Sequence, residues 1–140
     1  MSTPQLAIHL SFDGTCAEAF AFYKATLGAE ISMMMSYADS PMAAQVPAEQ
    51  ASRILHASLE LGAQRIMGAD AIQGHPYQGS QGFAVSLSYP TVDEARRVHA
   101  AMGEGGTIVM PFGPTFWARG FGMVTDRFSV TWMMSAEQPA

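Results

Sequence analysis

The predicted fold is decided by residues 10–30, LSFDGTCAEAFAFYKATLGAE, because their pattern is repeated in residues 87–98, LSYPTVDEARRV. LSF aligns with LSY at an offset of 77 residues, and the Glu-Ala pairs that follow align at an offset of 76. In both stretches a β-prone segment is followed by Thr and, three residues later, Glu, which is the spacing of a capping box at the start of a helix. We therefore expect an internal duplication in which each half begins with a strand and a helix.

Hydrophobic patterning and turn residues divide each half into the same five elements: strand, helix, strand, strand, strand. In the first half, the pattern predicts a helix that follows the N-cap Thr15 over residues 16–27, and strands over residues 6–12, 30–37, 53–61 and 64–67. In the second half, it predicts a helix that follows the N-cap Thr91 and runs to Gly103, and strands over residues 82–89, 107–112, 116–126 and 130–135. We predict an α+β fold with one domain over 1–140, made of two βαβββ modules at 5–70 and 81–135.

Composition excludes several classes of function. The 140 residues carry a net charge of -5 with scattered basic residues, so the dense basic footprint of a nucleic-acid-binding protein is absent. No apolar run is long enough to span a membrane, and the N-terminus has no signal-peptide pattern. A single cysteine cannot form an internal disulfide, which favours a cytoplasmic protein. Charged residues are only 14%, so we expect another subunit to cover part of the surface.

Specific stretches resemble a known family. TFWA at 115–118, FGMVTD at 121–126 and FSVTWM at 128–133 are similar to the PhnB-like branch of the vicinal oxygen chelate superfamily, as is HASLELG at 56–62. That superfamily includes glyoxalase I, bleomycin resistance proteins and extradiol dioxygenases. The resemblance implies two βαβββ modules that form an open, cupped mixed sheet around a pocket, usually in a homodimer. Many chemistries share this fold, so the fold alone assigns no reaction.

The resemblance also implies a divalent metal held by His and Glu residues from the first, fourth, fifth and eighth strands. His9 and His56 are candidate ligands, and Glu60 shares a face with His56 in an unbulged strand. The fifth strand offers no His or Glu, and Met133 or Met134 stands where metal-binding relatives have Glu. The set is incomplete, so the preferred interpretation of both histidines is hydrogen-bonded imidazoles in a pocket or core. The alternative is a partial site for Zn, Ni, Mn or Fe.

Aromatic and methionine residues supply the other candidate site, since methionine adapts to irregular apolar shapes. Trp117 follows a Gly-Pro break and is the main candidate for a pocket-lining group. Arg119 could pair with an anionic ligand or with an acidic residue across the sheet. The predicted ligand pocket consists of His9, Tyr37, His56, Phe112, Trp117, Arg119 and Met133.

The remaining candidates are interpreted structurally. His75 and His99 are predicted to lie on the surface. Cys16 is interpreted as a small residue at a helix start, with a nucleophilic thiol as the alternative.

Three functions follow, in order of preference. The first is a homodimer that binds a small organic molecule in an apolar, aromatic pocket at or near the dimer interface. The second is a metal-dependent lyase, isomerase or dioxygenase that acts on a small vicinal-oxygen substrate. The third is a structural or regulatory dimer without catalysis. Neither nucleic acid nor membrane is an expected partner.

Overall fold

A computed structural model describes residues 2–72 and 76–136. The chain divides into two compact units, Met1–Gly79 (unit 1) and Ser80–Ala140 (unit 2), and each is described by itself. The surface position predicted for His75 lies outside the described residues. Among those residues, no helix is long and apolar enough to cross a membrane.

Unit 1 is a four-stranded mixed sheet with one long helix. Its elements are β1 (Ile8–Phe12), α1 (Cys16–Leu27), β2 (Glu30–Ser36), β3 (Ile54–Leu61) and β4 (Gln64–Asp70). The strand order is β1-β4-β3-β2, with β1 parallel to β4 and the other pairs antiparallel. Between β2 and β3, residues 38–52 contain two single-turn 3₁₀ helices, Ala43–Gln45 and Ala48–Gln50.

Unit 2 repeats this topology. Its elements are β5 (Val85–Ser88), α2 (Val92–Met102), β6 (Thr107–Gly113), β7 (Gly120–Thr125) and β8 (Thr131–Ala136). The strand order is β5-β8-β7-β6, with β5 parallel to β8 and the other pairs antiparallel. The same element order and strand order in both units confirm the α+β fold of paired βαβββ units that the sequence predicts.

In unit 1, α1 covers one face of the sheet. Phe20 and Tyr23 of α1 are fully buried, and Phe20 meets Phe12 of β1 edge to face with ring centroids 6.2 Å apart. Leu10, Ala57 and Leu59 complete this apolar layer. Because side chains alternate along a strand, the intervening residues point to the opposite side. We call that side the open face of unit 1, and its members include His9, Ser11, His56, Ser58, Glu60 and Met67.

Unit 2 is arranged in the same way. Trp132, Met134 and Val124 are fully buried on the side that contacts α2. Phe121 and Met123 of β7 and Met133 of β8 alternate with them and so belong to the opposite side. We call that side the open face of unit 2.

Several predicted boundaries differ from the observed ones. The last part of the strand predicted at 116–126 is observed as β7, which begins only at Gly120. Residues before it form a turn, in which the hydroxyl of Thr115 accepts hydrogen bonds from the backbone N–H groups of Trp117 and Ala118. In contrast, β4 runs to Asp70, beyond the predicted end at 67, because it pairs with β1 along its length.

The predicted N-cap position of α1, Thr15, is confirmed, but its side chain makes no capping bond, whereas Thr91 of α2 is confirmed both in position and in its capping bond. In α1, Asp70 instead accepts a hydrogen bond of 3.0 Å from the Cys16 N–H. Thr91 does cap α2, since its hydroxyl accepts a hydrogen bond of 3.2 Å from the Glu94 N–H. A residue distant in sequence therefore replaces the local cap in unit 1.

Candidate functional site

The open face of unit 1 carries the two histidines that the sequence selects as ligands. His9 lies in β1 opposite Met67 of β4, and His56 lies in β3 opposite Met35 of β2. His9 is exposed and His56 is partly exposed. Neither imidazole has a hydrogen-bond partner among residues 2–72 and 76–136, so the preferred interpretation of hydrogen-bonded imidazoles finds no support in that part of the chain.

The two histidines are close enough to influence each other electrostatically. Partial loss of hydration lowers the pKa of His9 below its ordinary value, and the positive charge of His56 lowers the pKa further. The neutral form of His9, which is the form that binds metals, is thereby favoured at neutral pH.

Glu60 shares the open face with these histidines, but its carboxylate is already engaged. Oε2 accepts hydrogen bonds from the hydroxyl of Ser32 at 2.8 Å, from Arg65 Nε at 2.9 Å and from the hydroxyl of Ser58 at 3.2 Å. The bond from Ser32 is the main reason why the pKa of Glu60 lies below its ordinary value, and Arg65 and Ser58 add to that effect against partial desolvation. Glu60 is therefore a member of an ion pair rather than a free ligand.

A divalent metal of the kind used in the superfamily does not fit this donor set. Such ions need three or four converging nitrogen and oxygen ligands. Within residues 2–72 and 76–136, no group of three His, Cys, Asp or Glu side chains could hold a metal ion. The predicted combination of His9, His56 and Glu60 does not form such a group, because Glu60 is held by its neighbours in the sheet.

Tyr37, another predicted pocket residue, directly follows the end of β2 and lines a cavity to which neither histidine contributes. Tyr37 is buried, and the cavity, of about 540 Å³ within unit 1, is also lined by Ser11, Asp70 and Tyr77. The sequence does not mark Tyr77 as a candidate, because the stretch between β4 and β5 has no periodic pattern.

In unit 2, Trp117 lies in an exposed aromatic cluster. Its ring meets Phe116 at a centroid distance of 4.8 Å and Phe121 at 5.3 Å, both edge to face. Phe116 is 97% exposed, Trp117 is 50% exposed and Phe121 is buried. Phe121 belongs to the open face of unit 2, so these three residues, which we call the aromatic cluster, extend from that face into solvent.

The other predicted pocket residues of unit 2 lie in different places. Met133 is opposite Met123 on the same open face as Phe121. Arg119 is exposed, and no ion pair to it is found in the part of the chain that the structure describes. Phe112 packs on the helix side instead, with its ring 5.7 Å from that of His99 and 5.3 Å from the guanidinium carbon of Arg96.

The prediction that His99 lies on the surface is wrong. His99 is only 6% exposed, and its Nε2 is 3.1 Å from the carbonyl oxygen of Met110 in β6. The imidazole fits because β7 has glycine beneath it: a Cβ on Gly122 would lie 2.5 Å from His99 Cδ2. Glycine in a strand interior signals a close approach, and that signal is present in the sequence.

The nucleophilic alternative for Cys16 is not supported. The residue is fully buried at the start of α1. Burial, with the nearby Asp70 carboxylate adding to it, raises the pKa of the thiol to about 12. A thiol with this pKa stays protonated at neutral pH, so the residue packs as a small apolar group.

Comparisons with known proteins agree with the fold and with the resemblance in sequence. Residues 7–134 match the family model described as the Glyoxalase/Bleomycin resistance protein/Dioxygenase superfamily. The chain therefore belongs to that superfamily. It is 37% identical to Protein YjdN of Escherichia coli K12 over 96% of this chain and 97% of YjdN.

Two solved structures extend the comparison. Protein PA1353 from Pseudomonas aeruginosa is 42% identical, with a TM-score of 0.90 over 98% of this chain and 100% of PA1353. The PhnB protein from Bacillus cereus is 22% identical, with a TM-score of 0.80 over 95% of this chain and 99% of that protein. At this level of identity, the likeness to PhnB is one of fold.

Proposed function

We propose that this protein binds a small organic molecule on an apolar aromatic surface, with Trp117 as the main contact. The observation that carries the proposal is the exposure of the aromatic cluster: Trp117 is half exposed although it is fixed edge to face between Phe116 and Phe121. Edge-to-face aromatic pairs are worth about 0.5–1.5 kcal/mol beyond burial, so the indole is held in place before any ligand arrives.

The neighbours of Trp117 indicate the chemistry of the ligand. A flat apolar or aromatic group gains contact area against the exposed indole, because large aromatic side chains dominate the energetics of binding surfaces. Met123 and Met133, which pair with each other and are partly exposed, extend the apolar surface along the open face of unit 2. Arg119 is exposed in the same segment and can pair with a carboxylate or another anion. We therefore favour a small aromatic or apolar molecule with one acidic group.

The association of two copies is a second part of this proposal. β6 lies at the edge of its sheet, and three consecutive apolar residues in it are exposed: Ile108 at 48%, Val109 at 52% and Met110 at 39%. An exposed apolar edge strand is prone to pair with another chain. We infer that a second copy covers this edge. The expected oligomer is a homodimer, and its cytoplasmic location stays a prediction.

The two alternative functions have less support. A metal-dependent lyase, isomerase or dioxygenase needs Glu60 as a third ligand, and that carboxylate is engaged by Ser32, Ser58 and Arg65. A purely structural or regulatory dimer leaves the exposed indole of Trp117 without a ligand. That third function predicts that Trp117→Ala alters stability without changing the affinity for any small molecule.

Intrinsic fluorescence tests the proposal directly, because the two tryptophans differ. Trp132 is fully buried and its Nε1 donates a hydrogen bond to Asp126, whereas Trp117 is half exposed. Small aromatic and apolar acids are first screened by thermal shift, and compounds that stabilise the protein are then titrated against fluorescence. We expect saturable binding with a fluorescence change that disappears in Trp117→Phe, which leaves Trp132 as the reporter.

Affinity is then compared in two variants. Trp117→Ala is expected to weaken binding at least tenfold, which corresponds to about 1.4 kcal/mol. The matched control is Phe83→Ala, since Phe83 is an exposed aromatic residue of unit 2 outside the aromatic cluster. Absence of any saturable ligand in a broad screen would contradict the proposal, as would equal affinities of the wild type and Trp117→Ala.

A further inference from the structure

Each histidine on the open face of unit 1 stands opposite a methionine. His9 of β1 pairs with Met67 of β4, and His56 of β3 pairs with Met35 of β2. β1 and β4 are parallel and β2 and β3 are antiparallel, and in both cases neighbouring strands lie about 4.7–4.9 Å apart, so side chains opposite each other on one face are adjacent. The open face therefore displays imidazole nitrogens and thioether sulfurs side by side.

Met67 is the methionine that can reach both histidines. β4 lies between β1 and β3, and Met67 is paired with His9 on one side and with Ser58 on the other. His56 is two residues from Ser58, so it is a diagonal neighbour of Met67. Such neighbours lie about 7–8 Å apart, within reach of long side chains. The unbranched thioether of Met67 is flexible enough to adapt to this geometry.

These donors select a different class of ion from the divalent metals. Thioether sulfur is a soft ligand that favours Cu(I), and imidazole also binds copper, whereas carboxylates suit harder cations such as Mg²⁺ and Mn²⁺. Of the carboxylates on this face, Glu60 is paired with Arg65, and Glu30 lies opposite Glu60, four residues along β3 from His56. Both imidazoles lack hydrogen-bond partners there and are accessible to an ion from solvent.

We propose that His9, His56 and Met67 form a binding site for one Cu(I) ion on the open face of unit 1. The ion is held by two nitrogen ligands and one sulfur ligand, and no redox step is part of the proposal. This site lies in unit 1, whereas the aromatic cluster lies in unit 2. The proposed copper binding therefore does not depend on the proposed ligand binding.

Competition with a chromophoric Cu(I) chelator under anaerobic conditions measures the affinity of the intact protein. We expect one Cu(I) per chain. Met67→Leu, which removes the sulfur at nearly constant volume, should lower the affinity at least tenfold. His9→Asn and His56→Asn should each lower it further. Met35→Leu is the matched control, because Met35 is on the same sheet and next to His56 but is far from His9 in the strand order.

Silver(I), a redox-inert d¹⁰ ion with similar ligand preference, gives a second measurement that does not depend on the chelator. In methyl-labelled protein, Ag(I) should shift the Sδ-methyl resonance of Met67 and the ring resonances of His9 and His56. Thermal unfolding of each apo variant checks that the fold is intact. The proposal is overturned if Met35→Leu rather than Met67→Leu loses Cu(I), or if neither does. Zn(II) binding as tight as Cu(I) and unaffected by Met67→Leu would also overturn it.

Discussion

The two helices begin with the same sequence pattern, yet they are capped in different ways. Thr91 has an extended backbone with φ -127° and ψ 151°, as an N-cap residue requires, and its hydroxyl accepts the Glu94 N–H. Thr15 has φ -111° and ψ 12°, and its side chain makes no capping bond. In unit 1 the Asp70 carboxylate, 54 residues away in sequence, bonds to the Cys16 N–H instead. A capping box thus predicts where a helix starts without specifying which side chain caps it.

Loss of Asp70 should have the largest effect on stability. The carboxylate is buried, with Oδ1 accepting from the Cys16 N–H at 3.0 Å and Oδ2 from the Ile54 N–H at 2.9 Å. Asp70→Ala leaves both donors without a partner inside unit 1. Each buried unsatisfied donor costs about 1–3 kcal/mol, so we expect the two donors together to cost about 2–6 kcal/mol in the free energy of unfolding, measured in urea.

Asp70→Asn provides the control for this prediction, because it keeps one acceptor and nearly the same shape. The free energy of unfolding of Asp70→Asn should lie between that of Asp70→Ala and that of the wild type. If Asp70→Ala were no more costly than Thr91→Ala, then the long-range cap would be no stronger than the local one. The contrast between the two helix starts would then have no energetic consequence.

A second difference between the units lies in the core beneath each helix. Gly68 of β4 pairs with Leu10, and Met134 of β8 pairs with Leu87, the residue that aligns with Leu10 in the repeat. Phe20 of α1 fills the space over Gly68, since a Cβ there would lie 2.8 Å from Phe20 Cζ. In unit 2 the larger residue, Met134, is on the strand. Both cores are filled, but the large side chain comes from the helix in unit 1 and from the strand in unit 2.

Gly68→Ala should therefore be the next most damaging change. The added methyl group meets a fully buried ring, and overpacking of this kind costs about 1–3 kcal/mol. Phe20→Leu in the same chain should relieve the clash. The double variant should therefore lose less free energy of unfolding than the sum of the losses in Gly68→Ala and Phe20→Leu. Urea denaturation of the four proteins in this double-mutant cycle measures the coupling. Simple additivity would show that Phe20 does not limit the space above Gly68.

The element order was accessible from the sequence because it depends on local signals. Capping spacing, helical periodicity and turn dipeptides located both helices and the eight strands, and α1 was placed at its observed bounds, Cys16–Leu27. The candidate site was less accessible, because it depends on long-range geometry. Ser32 reaches Glu60 at a register shift in the pairing of β2 with β3, and no local pattern reveals that bond.

Burial of His99 shows the same limit. The helical pattern of α2 places a histidine beside two arginines, which favours a solvated face. The structure buries it because Gly122 on another strand leaves room for the imidazole. His99 also aligns with the buried Tyr23 of α1 at the repeat offset of 76 residues. The repeat itself, used as a guide to burial, would have indicated a buried polar ring at this position.

Loss of the local cap of α2 should have the third-largest effect on stability. Thr91→Ala should cost about 1 kcal/mol, the usual value for removing an N-cap hydroxyl. Thr15→Ala is the matched control, and we expect a change within about 0.5 kcal/mol because no capping bond is lost. Both are measured by urea denaturation. Equal losses in the two variants would mean that Thr15 caps α1 in solution, and the contrast between the helix starts would disappear.

The smallest effect concerns the open faces, which differ at the position paired with methionine. His9 pairs with Met67 in unit 1, whereas Ser86 pairs with Met133 in unit 2. An NMR titration should give His9 a pKa below 6.5, its ordinary value, because of lost hydration and the charge of His56. His56→Gln removes the second cause and should raise the pKa of His9, although not to 6.5, since the first and larger cause remains.

The same titration fixes the sign of a pH effect on stability. Below pH 6.5 the unfolded chain binds a proton at His9 more readily than the folded protein does. His9 therefore makes no difference to stability at neutral pH and destabilises the fold as the pH falls through 6.5 towards the lowered pKa. Replacing His9 with Gln should remove this part of the acid sensitivity, as measured by urea denaturation across that range. An unchanged pH dependence in His9→Gln, together with a His9 pKa at or above 6.5, would show that the imidazole is fully hydrated and distant from His56.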